Sequence, residues 1–184
     1  MTSERPYEST RHLNSPNRNL SPLSAALDSQ ERLTIGGCLL SELADRYGTP
    51  LYVLDELSLR TSCRAYQNSL RTHYRGESIP LYASKANSSL AISSLIHSEG
   101  FGLDAVSEGE LITALKAGIP GNKIVLHGNN KSRDELLLAY ENDVMIIIDN
   151  KHDIELLDEL IGPKNTTARL MLRFTPGIEC HTHD

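Results

Sequence analysis

The residue of this sequence best suited to covalent chemistry is Lys85, which follows the short apolar segment 79–83. An amine at such a position is costly if it is buried without a partner. In a barrel of alternating strands and helices, the carboxyl end of a strand is also where a reactive amine is held. A lysine amine placed there can form a Schiff base with an aldehyde cofactor. We therefore take Lys85 as the first candidate for a catalytic residue.

Other candidates are polar residues within or just after further apolar segments, because barrel active sites form at the carboxyl ends of strands. They are Asp104, Ser107, His127, Asn129, Asp149 and Arg173. Asp104 stands inside an apolar segment, where a carboxylate without a partner is expensive. It requires a cation, and Lys85 and Arg173 are those that the inward-facing strands offer. The structural alternatives are an ion pair for Asp104, a helix cap for Ser107 and a helix start at Asp149.

The segment 180–184 (CHTHD) resembles a metal-binding cluster at first sight. His181 and His183 would share one face of an extended segment, but two ligands do not complete a zinc site. No CxxC or HExxH motif accompanies them. We therefore predict no metal site. Cys38, Cys63 and Cys180 are scattered and odd in number, which argues against a disulfide framework and favours a reducing cytoplasm.

Five short apolar segments predict five strands. They are residues 79–84, 102–106, 123–127, 144–149 and 168–174. Their starts lie roughly 20 to 24 residues apart, a spacing typical of repeating strand–helix units. None shows a clean alternation of apolar and polar residues, which indicates strands buried on both faces, as in a parallel sheet.

The intervals between these strands carry signals for helices. Ser107 with Glu110 forms a capping box, in which each side chain satisfies a main-chain donor of the other, and Ser132 with Glu135 repeats it. Asn150 opens the last helix, and glycine–proline segments end the helices. Alternating strands and helices predict an α/β fold with a parallel sheet. A (β/α)8 barrel is favoured over a doubly wound open sheet, because the turn after the first strand contains no glycine.

The part of the chain before residue 79 differs in composition. Its patterns predict a short strand at 34–37, a helix over 39–47, a strand over 51–54 and a helix over 57–74. The first thirty residues are rich in Ser, Asn, Pro and Arg and predict a mobile tail. They contain no apolar run typical of a secretory signal. A targeting peptide for an organelle remains an alternative for this tail.

The number of strands limits the architecture. A complete barrel has eight strands and about 250 residues, whereas this chain has 184 residues and five predicted barrel strands. We therefore interpret it as the amino-terminal part of a longer protein, or as a chain that another completes. The net charge of −6 argues against a nucleic-acid partner. No apolar segment approaches the roughly 18 residues needed to span a membrane.

The segment 82–87 (YASKAN) resembles the pyridoxal-phosphate attachment motif of the ornithine/diaminopimelate/arginine decarboxylase family, also called fold type III. Five further stretches are similar to the same family in the same order. They are 51–56 (LYVLDE), 102–110 (GLDAVSEGE), 127–132 (HGNNKS), 172–177 (LRFTPG) and 181–183 (HTH). The GNNKS and HTH stretches resemble the diaminopimelate enzymes more than the ornithine enzymes. The resemblance extends from about residue 31 to the end.

This resemblance implies roles for four residues. Lys85 would hold pyridoxal 5′-phosphate covalently, Ala83 would line the cofactor, and Asp104 and Arg173 would contact the cofactor region. The implied reaction is the decarboxylation of meso-2,6-diaminopimelate to L-lysine and carbon dioxide, the last step of lysine biosynthesis, in a cytoplasmic homodimer. Another type III decarboxylase, acting on ornithine, arginine or a carboxylated polyamine, and a non-catalytic pyridoxal-phosphate-binding barrel remain alternatives.

The resemblance also implies an architecture and its missing parts. The fold would be a partial (β/α)8 barrel of the alanine racemase-like type, with about five of eight strands. Residues 1–30 would be a disordered tail, 31–55 would contribute to a second, β-rich domain, and 56–184 would form the incomplete barrel. The family's cofactor-stacking histidine, its glycine-rich phosphate loop and the residues shared across its dimer interface fall beyond residue 184. We therefore expect the chain alone to be inactive and not to bind the cofactor stably.

Overall fold

Two units make up the chain in a computed structural model, which describes residues 20–164 and 166–177. The first unit extends to Ser69 and the second begins at Leu70, so that the division falls within one long helix. None of the helices in this described part of the chain is both long and apolar enough to cross a membrane.

The first unit contains a small antiparallel sheet followed by helices. Its elements are β1 (Ala26–Leu27), β2 (Leu33–Ile35), β3 (Cys38–Leu39), α1 (Leu40–Tyr47) and α2 (Glu56–His73), which continues into the second unit. The strands are ordered β1-β2-β3. Gly36 and Gly37 form the two-residue turn between β2 and β3 at φ angles of 58° and 77°. Tight hairpin turns require positive φ at both central positions, which glycine adopts without strain.

The predictions for this unit were partly wrong. The two helices are confirmed as α1 and α2. The segment 51–54 forms no strand with any described residue, and Tyr52 within it is 96% exposed. Its strand-like composition is not sufficient, because a strand also requires a neighbour to pair with. The predicted tail over residues 1–30 is too long, since it includes β1, whereas residues 1–19 lie outside the described residues.

The second unit confirms the predicted alternation of strands and helices. Its elements are β4 (Leu81–Ala83), α3 (Leu90–Ser98), β5 (Gly102–Ala105), α4 (Glu108–Lys116), β6 (Ile124–Leu126), α5 (Arg133–Glu141), β7 (Met145–Ile148), α6 (Lys151–Ile161) and β8 (Leu170–Leu172). The strands form one parallel sheet in the order β4-β5-β6-β7-β8. This is the five-strand part of a barrel that the sequence predicts.

One face of this sheet forms the core of the second unit. Apolar residues of the strands pack there against the helices: Leu103, Ala105, Ile124, Leu126, Ile146 and Ile148, with Leu111, Leu136, Ala139 and Leu157. Because side chains alternate along a strand, the residues between them lie on the opposite face. On that face Ala83 pairs with Asp104, and Asp104 with Val125. Val125 on β6 is only partly buried, whereas Ile147 on β7 is 4% exposed, so the predicted burial on both faces holds for β7 but not for β6.

Candidate active site

Lys85 lies in a single turn of 3-10 helix, Ser84–Ala86, that begins directly after β4. Its side chain is exposed, as is that of Ala83 at the end of the strand. Ala83 is the register partner of Asp104 on β5. The turn therefore presents an accessible primary amine at the carboxyl end of the first strand, beside the strand that carries Asp104.

Asp104 is an acidic group that interacts electrostatically with this amine. Its Oδ1 atom is buried, has no hydrogen-bond partner among the described residues, and lies 3.7 Å from Nε2 of His127. Burial raises the pKa of Asp104, and the neighbouring Glu110 raises it further. His127 and Lys85 oppose this shift by electrostatic attraction but do not cancel it. Burial therefore disfavours the charged form of Asp104, although Lys85 and the imidazole of His127 interact with this carboxylate.

Of the two cations that the sequence offers to Asp104, Lys85 interacts with it electrostatically, whereas Arg173 lies beside another carboxylate. Nη1 of Arg173 lies 3.3 Å from Oδ1 of Asp149, at the end of the neighbouring strand β7. The strand of Asp104 is three positions away from β8, which corresponds to roughly 14 Å along the sheet at about 4.8 Å per strand. Arg173 therefore lies beside Asp149, and His127 is a neighbour of Asp104 that the sequence analysis did not pair with it. A contact of Arg173 with the cofactor stays a prediction.

The capping prediction for α4 is half right. The Ser107 hydroxyl accepts a hydrogen bond of 3.4 Å from the main-chain N–H of Glu110, as a helix cap does. The Glu110 carboxylate does not return to Ser107, because its Oε2 accepts the main-chain N–H of Val106 at 2.7 Å and lies 2.8 Å from the hydroxyl of Ser84. The capping box of Ser132 and Glu135 on α5 is complete.

A buried ion pair that the sequence patterns did not predict joins the loop after β6 to α6. Nζ of Lys131 donates to Oδ2 of Asp153 at 2.8 Å and to the carbonyl oxygen of Gly128 at 2.6 Å. The side chains of Lys131 and Asp153 are 2% and 1% exposed. The available signal was position, since Asp153 is the third residue of α6, as Glu110 is of α4.

Asn129 lies in the same loop as Lys131. Asn129 is exposed, and its carbonyl oxygen accepts a hydrogen bond of 3.2 Å from the side chain of Asn150, which caps α6. A small cavity of about 160 Å³ is lined by Val106, Gly128, Asn129, Asn130, Lys131 and Glu135. No cluster of three potential metal ligands occurs among the described residues. Cys180, His181 and His183 lie outside them.

Comparison with known proteins identifies the family. Residues 57–184 match the family model described as "Pyridoxal-dependent decarboxylase, pyridoxal binding domain". The chain belongs to this family. The matching region contains every strand of the parallel sheet, together with Lys85, Asp104, His127 and Arg173. The accessible amine at the end of β4 is thus part of a pyridoxal-binding domain.

Individual members of the pyridoxal-dependent decarboxylase family are similar over most of the chain. The diaminopimelate decarboxylase of Synechocystis is 44% identical over 178 residues, which are 92% of this chain and 38% of the relative. That of Bacillus methanolicus is 46% identical over 159 residues, 86% of this chain and 37% of the relative. The crystal structure of the diaminopimelate decarboxylase from M. jannaschii has a TM-score of 0.78 at 31% identity, covering 87% of this chain and 38% of its own. The chain thus spans less than two-fifths of the length of these relatives.

Proposed function

We propose that the gene product containing this chain is a pyridoxal-phosphate-dependent decarboxylase that converts meso-2,6-diaminopimelate to L-lysine and carbon dioxide. The observation that carries the proposal is the accessible amine of Lys85 beside the buried, unpartnered oxygen of Asp104 on the adjacent strand. The names of the similar proteins support the choice of substrate, and a structure of the M. jannaschii enzyme is a complex with L-lysine.

The residues of the site fit pyridoxal phosphate. Covalent attachment requires a reachable primary amine, which Lys85 supplies at the carboxyl edge of the sheet. Ala83, on the same face as Asp104, has a small side chain that leaves room beside the amine. The orphaned Oδ1 of Asp104 can accept a hydrogen bond from a bound polar group, and a buried acceptor without a donor is otherwise costly. Arg173 would contribute positive charge at the opposite end of the sheet.

Each side chain has a separate task in this proposal. Nζ of Lys85 would hold the cofactor covalently, because it is an accessible primary amine at the carboxyl end of β4. When bound, pyridoxal phosphate supplies an electron sink for the carbanion that remains after carbon dioxide has left. Asp104 would set the charge beside the amine, because it interacts electrostatically with Lys85. His127 would act on Asp104, whose Oδ1 lies 3.7 Å from its Nε2. The amine of Lys85 would also be placed to carry a proton to or from the substrate.

The test is release of carbon dioxide from diaminopimelate by the gene product at the length made in the cell. Lys85→Ala is the decisive variant, and ornithine and arginine are the control substrates. We expect activity with diaminopimelate only, and its loss in the variant by at least about 10³-fold, since a covalent anchor is removed. Undiminished activity in Lys85→Ala would exclude the role proposed for this residue. Preference for ornithine or arginine would contradict the proposed substrate.

Two further parts of the proposal concern the form in which the protein works. We propose a homodimer in the cytoplasm, to be checked by light scattering of the active protein and by fractionation of cells. We also expect the 184-residue chain by itself to show no visible absorbance from covalently bound pyridoxal phosphate and no decarboxylation. Such absorbance in the purified chain would show that these residues suffice to hold the cofactor.

A further inference from the structure

Three successive helices of the second unit carry an acidic residue at their third position, and each carboxylate contacts the preceding strand–helix unit. Oε2 of Glu110 on α4 lies 2.8 Å from the hydroxyl of Ser84. Oε1 of Glu135 on α5 accepts the main-chain N–H of Glu108 at 2.7 Å. Asp153 on α6 pairs with Lys131 at 2.8 Å. The three contacts are equivalent in position but differ in what they hold.

The first of these contacts holds the residue next to Lys85. Ser84 is 1% exposed, and its hydroxyl lies 2.8 Å from both the carbonyl oxygen of Asp104 and Oε2 of Glu110. The same Glu110 oxygen accepts the N–H of Val106, two residues beyond Asp104. One carboxylate oxygen therefore connects the turn after β4, which carries Lys85, with the carboxyl end of β5, which carries Asp104.

The contacts of Glu110 and Ser84 fix the position of the turn that carries Lys85, and a covalent anchor requires a fixed position. Lys85 itself is exposed, whereas the neighbouring Ser84 is buried and its hydroxyl contacts Asp104 and Glu110. Its 3-10 turn consists of three residues only, and Ser84 is its buried member. The placement of the turn relative to Asp104 thus depends on the hydrogen bonds of Ser84. Misplacement of a reacting group by about 1 Å is sufficient to slow a reaction by up to about 10²-fold.

We propose that Glu110 is a positioning residue, which acts through the hydroxyl of Ser84 to set the place of the Lys85 amine relative to Asp104. It touches neither cofactor nor substrate in this proposal. The inference rests on the proposed function, because it assigns Glu110 to the site in which Lys85 binds pyridoxal phosphate. It predicts that the rate of attachment, and not merely the stability of the fold, depends on Glu110.

The experiment measures attachment to the cofactor-free gene product. Pyridoxal phosphate is added, samples are reduced with borohydride at intervals, and mass spectrometry gives the labelled fraction at Lys85. The variants are Glu110→Ala, Ser84→Ala, the double variant and the matched control Glu135→Ala, which removes the equivalent carboxylate of the next helix but leaves Ser84 untouched. We expect attachment to slow about tenfold or more in Glu110→Ala and to stay within about twofold of wild type in Glu135→Ala.

Two additional readouts separate positioning from a purely structural role. The double variant is expected to be no slower than the slower single variant, because residues acting in one contact are not additive. Glu110→Gln keeps a carbonyl acceptor for Val106 and Ser84 and should restore attachment to within about threefold of wild type. In the cofactor-free protein, hydrogen exchange over residues 84–87 should accelerate in Glu110→Ala and stay unchanged in Glu135→Ala.

The outcomes distinguish the inference from the proposed function. A wild-type protein that is not labelled at Lys85 overturns the proposed function and this inference with it. A labelled wild type in which Glu110→Ala and Glu135→Ala behave alike overturns the inference alone, as does Glu110→Gln behaving like Glu110→Ala. If Glu110→Ala does not fold, Ser84→Ala decides in its place, and attachment at the wild-type rate in that variant rejects the inference.

Discussion

The ammonium of Lys131 donates a hydrogen bond to the carboxylate of Asp153, and both side chains are almost wholly buried. The same ammonium donates to the carbonyl oxygen of Gly128, next to His127, and the same carboxylate accepts the main-chain N–H of Asp149 at 3.1 Å. The pair thus connects the loop that carries His127 with the strand end that carries Asp149. The positions of His127 and Asp149 in the candidate site therefore depend on the ion pair, although their side chains do not contact it.

Lys131→Met should destabilise the second unit strongly. Removing one partner of a buried ion pair leaves the other charge uncompensated, at a cost of about 3–5 kcal/mol in the free energy of unfolding. Urea unfolding followed by far-ultraviolet circular dichroism measures this loss. The double variant Lys131→Met/Asp153→Leu should recover much of it, because no buried charge then remains. A loss below about 1 kcal/mol in the single variant would contradict the prediction.

Asp104→Asn should stabilise the fold while slowing cofactor attachment. Because the folded-state pKa of Asp104 lies above its ordinary value of 3.8, ionisation destabilises the native state as pH rises through the folded pKa. The variant should therefore melt about 2–4 °C higher than wild type at neutral pH. The difference should vanish below pH 3.8, where both side chains are neutral. Calorimetry at both pH values tests this, with the exposed Asp134→Asn as the control.

Gly121→Ala should disturb the sheet, whereas Gly109→Ala should not. A Cβ atom at Gly121 would overlap the carbonyl oxygen of Asn142, just before β7, and main-chain atoms cannot move aside without a shift of the strands. A Cβ atom at Gly109, in the first turn of α4, meets nothing within 4 Å. We expect a loss of about 1–3 kcal/mol for Gly121→Ala and a gain of roughly 0.5–1 kcal/mol for Gly109→Ala. Equal unfolding midpoints for the two variants would refute the expectation.

Asp55→Asn should weaken the first unit in a pH-dependent way. Burial tends to raise the pKa of Asp55, but hydrogen bonds from Ser24 and Ser58 outweigh it and hold the pKa below its ordinary value of 3.8. The ionised side chain therefore stabilises the fold above pH 3.8, and this stability is lost as pH falls through the lower folded pKa. We expect a loss of about 1.5–3 kcal/mol at pH 7, shrinking in acid. A loss independent of pH would contradict it.

The strand order could be predicted from sequence because it depends on local patterns. Each apolar segment is followed by a helix start and a helix stop, and such units place their strands side by side in a parallel sheet. The same reasoning located Lys85 and Asp104 at one edge. The sequence left open which cation lies near Asp104, and in the structure Lys85 interacts with it while Arg173 pairs with Asp149. Asp149 is one strand away and Asp104 is three.

Other details of the structure could not be predicted from local sequence patterns. The pairing of Ser107 with Glu110 matched a capping motif, yet the buried Ser84 hydroxyl and the Val106 N–H attract the Glu110 carboxylate instead. Lys131 has no sequence signal of burial, since lysine is rarely buried unless it is paired. The segment 51–54 has the composition of a strand but lacks a described partner. In each case a group distant in sequence decides the outcome.

The carboxylates at the third helix positions also imply an order of events during protein synthesis. Lys85 leaves the ribosome one whole strand–helix unit before Glu110, the residue that holds its turn through Ser84. Until α4 has been translated and has folded, the amine is present on the nascent chain but its turn is not fixed. The cofactor can therefore be captured in an ordered way only after the second strand–helix pair of the barrel, β5 and α4, has folded.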